Sequence, residues 1–199
     1  MSKELLKNTK FKSVVKSFFK NHDLIDIIFF GSAIRNKDNP NDIDVLILFK
    51  DKIDSDISYE LKKEFRSAGF EVEISSINYE KLISGNFLPS EGIISDGYSL
   101  IYNKFISEGL GYMHFHLFRY ELQALNKSER MRFYYSLYGR TKDQKGMISE
   151  LKAIKFSETI LLCPSENSDR MKVFLDSWRI KYLEFSILIP LRIKSIIKS

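Results

Sequence analysis

Two aspartates stand two positions apart in Asn41-Asp42-Ile43-Asp44-Val45, at the head of an apolar run that continues to Phe49. On a strand the side chains alternate, so Asp42 and Asp44 share one face about 7 Å apart. Carboxylates so placed repel one another unless a cation joins them. Hard oxygen donors in this number suit Mg2+ or Mn2+, which take one or two carboxylates together with water and substrate phosphates. Upstream, a shorter apolar run from Asp26 to Phe30 is halted by Gly31-Ser32. The glycine permits close backbone approach, and the serine offers a hydroxyl and an N–H to phosphate oxygens. Together these features describe a site for a metal-bound nucleoside triphosphate, ATP among the candidates.

Positioning such a site requires strands and the helices that cover them. Residues 4–20 place Leu5, Leu6, Phe11, Val14, Val15, Phe18 and Phe19 at near-helical spacing, with lysines at 3, 7, 10, 12, 16 and 20 between them. This predicts an amphipathic helix whose lysines form a solvated face rather than a membrane-surface face. Strands are predicted at 26–30 and 42–49, joined by a polar loop containing Asn36, Asp38, Asn39, Pro40 and Asn41. A helix follows at 56–68, ended by Gly69, then a half-exposed strand at 70–77 and a short helix at 79–83. Residues 91–107 carry a mixed pattern.

The order Gly31-Ser32, polar loop, Asp42-Ile43-Asp44 at the head of an apolar strand resembles the DNA polymerase β-type nucleotidyltransferase superfamily, and in particular its minimal nucleotidyltransferases. The resemblance covers residues 24–77 well and 1–107 loosely. It implies an α/β (α+β) fold with a palm-like mixed sheet and flanking helices. Arg35 matches a basic residue common in the loop of those enzymes, which places Gly31, Ser32 and Arg35 on the nucleotide. Members that catalyse transfer add a third carboxylate from a neighbouring strand. Glu71 and Glu73 both fall on the polar face of Phe70-Glu71-Val72-Glu73-Ile74, and Glu73, just before a small polar turn, is the choice. Glutamate in place of the more usual aspartate is a departure that moves the carboxylate by about one methylene. The implied triad is Asp42, Asp44 and Glu73, holding Mg2+ (or Mn2+) in a two-metal mechanism. The implied reaction transfers a nucleoside monophosphate from an NTP to an acceptor hydroxyl and releases pyrophosphate. Its acceptor could be RNA; in antitoxin-type or drug-modifying relatives it is a partner protein or a small molecule. A catalytically silent nucleic-acid-binding protein that retains the fold is the remaining alternative.

The second part of the chain, 108–199, matches no family motif. Residues 112–125 read as a helix, on which His114 and His116 would diverge by about 200° and could not share a metal. Asn126-Lys127-Ser128-Glu129 has the form of a capping box for a helix running to Tyr138 and stopped by Gly139. On it Met131, Tyr134, Tyr135 and Tyr138 form one stripe, expected to be core. A strand is predicted over 155–163, a helix over 166–178, a strand over 181–189 and a basic tail thereafter. Arg130, Arg140, Lys142 and Lys145 surround these aromatics and are the expected acceptor-binding residues, since cations beside aromatics suit RNA or another polyanion.

Composition bounds the remaining classes. With 199 residues, 44% hydrophobic and 16 Phe, the chain can bury a substantial core, and disordered or fibrous classes are excluded. The net charge of +5 divides unevenly. Residues 1–107 hold 15 Lys/Arg against 16 Asp/Glu, while residues 108–199 hold 16 against 10. The lone Cys163 sits in an apolar run and reads as a buried structural thiol. No run is long and apolar enough for a membrane helix, and the charged N-terminus lacks the apolar core of a signal peptide, so no membrane contact and a cytoplasmic location are expected.

Overall fold

The computed structural model describes residues 5–31, 43–85, 87–141, 143–193 and 195. The chain divides into two compact units after Leu110, where the sequence reading had divided it after Ser107. Both are mixed α+β, and each has its own sheet.

In the first unit, helix α1 (Thr9–Asn21) begins at Asn8, whose side chain accepts from the Lys10 and Phe11 amides. It buries Phe11, Val15 and Phe18, the apolar positions of one face. Strand β1 (Leu24–Phe30) pairs antiparallel with β2 (Asp44–Phe49). Helix α2 (Ser55–Ser67), capped by Asp54, then returns the chain to β3 (Glu73–Asn78), which lies parallel to β2. Gly69, at φ +88°, takes the left-handed conformation that ends α2 and turns the chain toward the strand. Short helices α3 (Tyr79–Ile83) and α4 (Ser90–Asp96) follow. The mixed stretch after them resolves into β4 (Tyr98–Ser99), β5 (Lys104–Phe105) and α5 (Ile106–Gly109). The sheet order is β3-β2-β1-β4-β5.

Strand alternation sorts this sheet into two buried faces. Ile27, Phe29, Val45, Ile47 and Phe49 pack with α1 and α2, where the Phe11 and Phe65 rings stack 4.8 Å apart. Ile28, Leu46, Leu48 and Ile77 pack on the other side with Leu82 of α3 and Ile93 of α4. One carboxylate is drawn into the fold: Asp26, 4% exposed, accepts from the Ile27 amide and from the Ser99 hydroxyl. Its partners do not offset desolvation, and burial pushes its pKa from 3.8 up to about 6.

In the second unit the expected helix over 112–125 is instead a strand, β6 (Tyr112–Glu121). Its polar alternation changes phase midway: Met113-His114-Phe115-His116-Leu117 puts the apolar residues on one face, and Phe118-Arg119-Tyr120-Glu121 puts them on the other, so no single period-2 pattern spans the strand. Helix α6 (Lys127–Tyr138) opens with the capping box of Asn126 and Glu129, as expected. The expected core stripe on it is wrong by one position. Phe133 and Leu137 are fully buried, while Met131, Tyr135 and Tyr138 are exposed and Tyr134 packs at the margin. A short helix α7 (Met147–Glu150) precedes the stretch expected as one strand, which is a hairpin of β7 (Ile154–Ser157) and β8 (Ile160–Pro164) turning at Glu158-Thr159. Helix α8 (Ser168–Ser177) and strand β9 (Lys181–Pro190) complete the unit. The antiparallel sheet has the order β7-β8-β6-β9. Cys163 is buried in its core, and burial pushes the thiol up to about 12, so it is an inert packing group.

Candidate functional site

Strand register assembles the acidic site of the first unit. Asp44 opens β2 and stands directly opposite Glu73, the first residue of the parallel strand β3. The Glu73 amide donates to the Ile43 carbonyl at 2.9 Å, which locks this register at the strand ends. Asp44 shares its face with Leu46 and Leu48, and Glu73 shares its own with Ile77, all on the same side of the sheet. The two carboxylates therefore project from adjacent strands, about 4.8 Å apart at the backbone. Glu71 lies outside β3, and its carboxylate accepts from the Arg66 guanidinium at 3.1 Å on the exposed surface. Of the two candidates only Glu73 is in register with Asp44.

Gly31 completes the described part of the site. It follows Phe30, the residue paired with Asp44, and holds φ at +81°. A Cβ at this position would displace the Asp44 carboxylate, and the positive φ strains any residue but glycine. Ser32, Arg35 and Asp42 lie outside the described residues. Among the described residues no group of three or more His, Cys, Asp or Glu could hold a metal ion. The donor set in hand is Asp44 and Glu73, hard carboxylate oxygens of the kind that bind Mg2+ or Mn2+ with waters and substrate oxygens filling the remaining positions.

The residues expected to bind an acceptor fare unevenly. Arg130 is occupied: its Nε donates to the Leu122 and Leu125 carbonyls at 3.1 and 2.9 Å, tying down the turn between β6 and α6. The Arg140 guanidinium lies over the Tyr135 ring, 5.6 Å from its centroid, and both are exposed. Lys145 is exposed, and Lys142 lies outside the described residues. The loop carrying them is pinched shut at its base. A Cβ on Gly139 would fall 1.9 Å from the Gln144 carbonyl oxygen, and one on Gly146 would fall 2.4 Å from the Gly139 nitrogen. Sequence gave no sign of that closure, because it depends on two glycines meeting across the loop.

His114 and His116 do not diverge. On strand β6 they occupy one face, with ring centroids 5.3 Å apart. His116 Nδ1 lies 2.6 Å from Glu184 Oε1, and the Lys172 ammonium reaches the same oxygen at 2.9 Å. Desolvation lowers the His116 pKa, and the Glu184 contact opposes that. The arrangement ties α8 to β9 and offers no three-residue metal set.

Residues 13–96 match the family model described as polymerase beta, nucleotidyltransferase. No curated protein sequence matches the chain. Two solved structures are similar over part of it. One is a mutant of the MntA-HpeT toxin-antitoxin, with 20% identity, 45% of this chain and 70% of that chain covered, and a TM-score of 0.35. The other is a tri-AMPylated Shewanella oneidensis HEPN toxin in complex with MNT antitoxin, with 19% identity, 50% and 71% coverage, and a TM-score of 0.33. Both superpositions are too loose to carry an argument. No helix among the described residues is long and apolar enough to cross a membrane. Gly31, Asp44 and the in-register Glu73 all lie inside the matched segment, and that match over residues 13–96 is consistent with a minimal nucleotidyltransferase domain.

Proposed function

We propose that the protein is an active, metal-dependent nucleotidyltransferase that moves a nucleoside monophosphate from an NTP to an acceptor hydroxyl. The observation carrying this reading is the register pair of Asp44 and Glu73 with Gly31 against the Asp44 carboxylate, within the segment that matches the family. Asp44 and Glu73, with Asp42, would hold Mg2+ or Mn2+, which when bound neutralises triphosphate charge and acidifies the acceptor hydroxyl. Gly31 keeps a backbone surface open beside Asp44 for a phosphate, and Ser32 and Arg35 contact the β- and γ-phosphates. The acceptor oxygen forms a bond to the α-phosphorus in line with the bond to the β-phosphate, which breaks, and pyrophosphate leaves with that electron pair. Glu73 takes the acceptor's proton at a carboxylate oxygen. The work of the chain is positioning and charge stabilisation, with no covalent enzyme intermediate.

The acceptor is proposed to be RNA, engaged through the basic loop that carries Arg140, Lys142 and Lys145, with Arg130 confined to a structural part. The test incubates the protein with each α-labelled NTP, Mg2+ or Mn2+, and total RNA or cell lysate, beside Asp44→Asn and Glu73→Gln. Label that appears with the wild type and is lost in Asp44→Asn supports the reading. Label that survives Asp44→Asn, or none with any NTP, overturns it. Ribonuclease sensitivity of the label identifies an RNA acceptor, and protease sensitivity replaces RNA with a partner protein.

A further inference from the structure

Helix α1 carries a charge pattern that its own fold does not use. Lys12, Lys16 and Lys20 recur every four residues along one side, interleaved with Thr9, Ser13 and Ser17, and these six residues line a shallow, open groove on the surface of that single helix. The helix has no acidic residue in its first turn, where the macrodipole favours one, and holds Lys10 and Lys12 near that end instead. Lys12 with Lys16 and Lys16 with Lys20 are like-charge pairs one turn apart, which disfavour the helix. None of these lysines forms an ion pair among the described residues. The other side of the same helix differs. There Lys10 and Val14 share a groove with Glu60, Lys63 and Glu64 of α2, so positive and negative charges are mixed. Only the Thr9 to Lys20 side is purely cationic.

We infer that this groove docks the phosphate backbone of a single-stranded nucleic acid, a surface separate from the acidic site and from the basic loop of the second unit. Three observations select that partner. The lysines repeat at about 6 Å along the helix, four residues at 1.5 Å each, so three like charges stand in a row, as the phosphates of one strand do. The hydroxyls between them donate hydrogen bonds to phosphate oxygens. The apolar side of α1 is spent, since Phe11, Val15 and Phe18 are at most 1% exposed, so no hydrophobic face remains to enter a lipid surface. The docking needs neither nucleotide nor metal, so its failure is separable from failure of the transferase reading.

The test measures binding of an oligouridylate of about a dozen nucleotides to the full chain without NTP, by fluorescence anisotropy across a salt series. Loss of three phosphate contacts in Lys12→Gln/Lys16→Gln/Lys20→Gln is expected to weaken binding at least tenfold and to lower the salt slope by about 2. Lys10→Gln/Lys63→Gln, on the mixed-charge side, is expected to leave binding within twofold. Lys16→Gln alone is expected to keep or raise the melting temperature while weakening binding, which a merely structural lysine would not do. Equal affinity of the triple variant and the wild type overturns the inference. So does wild-type binding to phosphatidylserine vesicles or polyglutamate in place of the oligonucleotide, which reassigns the groove to a lipid surface or an acidic protein.

Discussion

The two units solve the problem of a buried sheet differently. In the first, helices cover both sheet faces, and the parallel pairing of β2 with β3 sets Asp44 beside Glu73 at the strand ends. In the second, the sheet is antiparallel throughout, helices α6 and α8 fill one face, and the other face shows Leu183 and Phe185 more than half exposed at 55% and 54%. A parallel pair needs a crossover helix, so its strands start at one edge and bring their first residues together. In the first unit that edge brings two carboxylates together. The second unit has no such edge, and its titratable groups are spent on cross-ties such as Lys172 and His116 with Glu184.

The sharpest way to break this comparison is to attack the packing of the second unit. Phe133 is fully buried against the rings of Tyr120, Tyr134, Phe174 and Trp178. Phe133→Ala is expected to cost about 3–5 kcal/mol in denaturant unfolding. A loss below about 1 kcal/mol would show that the helical face is not where this unit is held together.

Next in size is the acidic edge of the first unit. Asp44→Asn is expected to cut label transfer by about 10²–10³-fold, the scale of losing one charge-stabilising group, with an unchanged melting temperature. A parallel fall in stability would make Asp44 a structural residue and erase the contrast between the units.

Asp26 tests whether the first unit tolerates a carboxylate only where chemistry needs it. Its folded pKa is raised from 3.8 to about 6, so the stability it contributes is full below 3.8 and is lost as pH rises through about 6. The loss amounts to about 3 kcal/mol above that window. Asp26→Asn keeps an acceptor for the Ser99 hydroxyl but cannot ionise. Thermal melts across this range are expected to show a gain of about 1–2 kcal/mol at pH 7 and a flatter profile between pH 4 and 6. A variant less stable than the wild type at pH 7 would mean that the ionised form is the one the fold prefers.

The smallest expected effect concerns the exposed stripe of α6. Met131→Ala is expected to change stability by no more than about 0.5 kcal/mol, because Met131 is 49% exposed. A cost near that of Phe133→Ala would restore the stripe read from sequence.

The first unit was largely legible from sequence because its signals are local. Gly69 ends α2, and the apolar runs at 26–30 and 42–49 are too short for helices and sit beside turn residues. The second unit misled where both faces of an element are apolar. The polar alternation of strand β6 switches phase between Leu117 and Phe118, and Met131-Tyr134-Tyr135-Tyr138 recurs at helical spacing as the buried pair Phe133 and Leu137 does. Spacing gives a helix its faces but does not say which face the rest of the molecule covers.

Residue types and their order determined the carboxylates, the glycine turn and the family model that residues 13–96 match, because those signals lie in residue identity at fixed spacing along the chain. Only the tertiary structure shows that Glu73, and not Glu71, stands opposite Asp44, since that depends on the register of β3 against β2. It also decided that Asp44 occupies the space a side chain at position 31 would need, that Arg130 is consumed by two carbonyls, and that Lys12, Lys16 and Lys20 share one side of α1 with no acid among them. Register and the sharing of polar groups are settled between elements distant in the chain, and neither leaves a mark on local sequence.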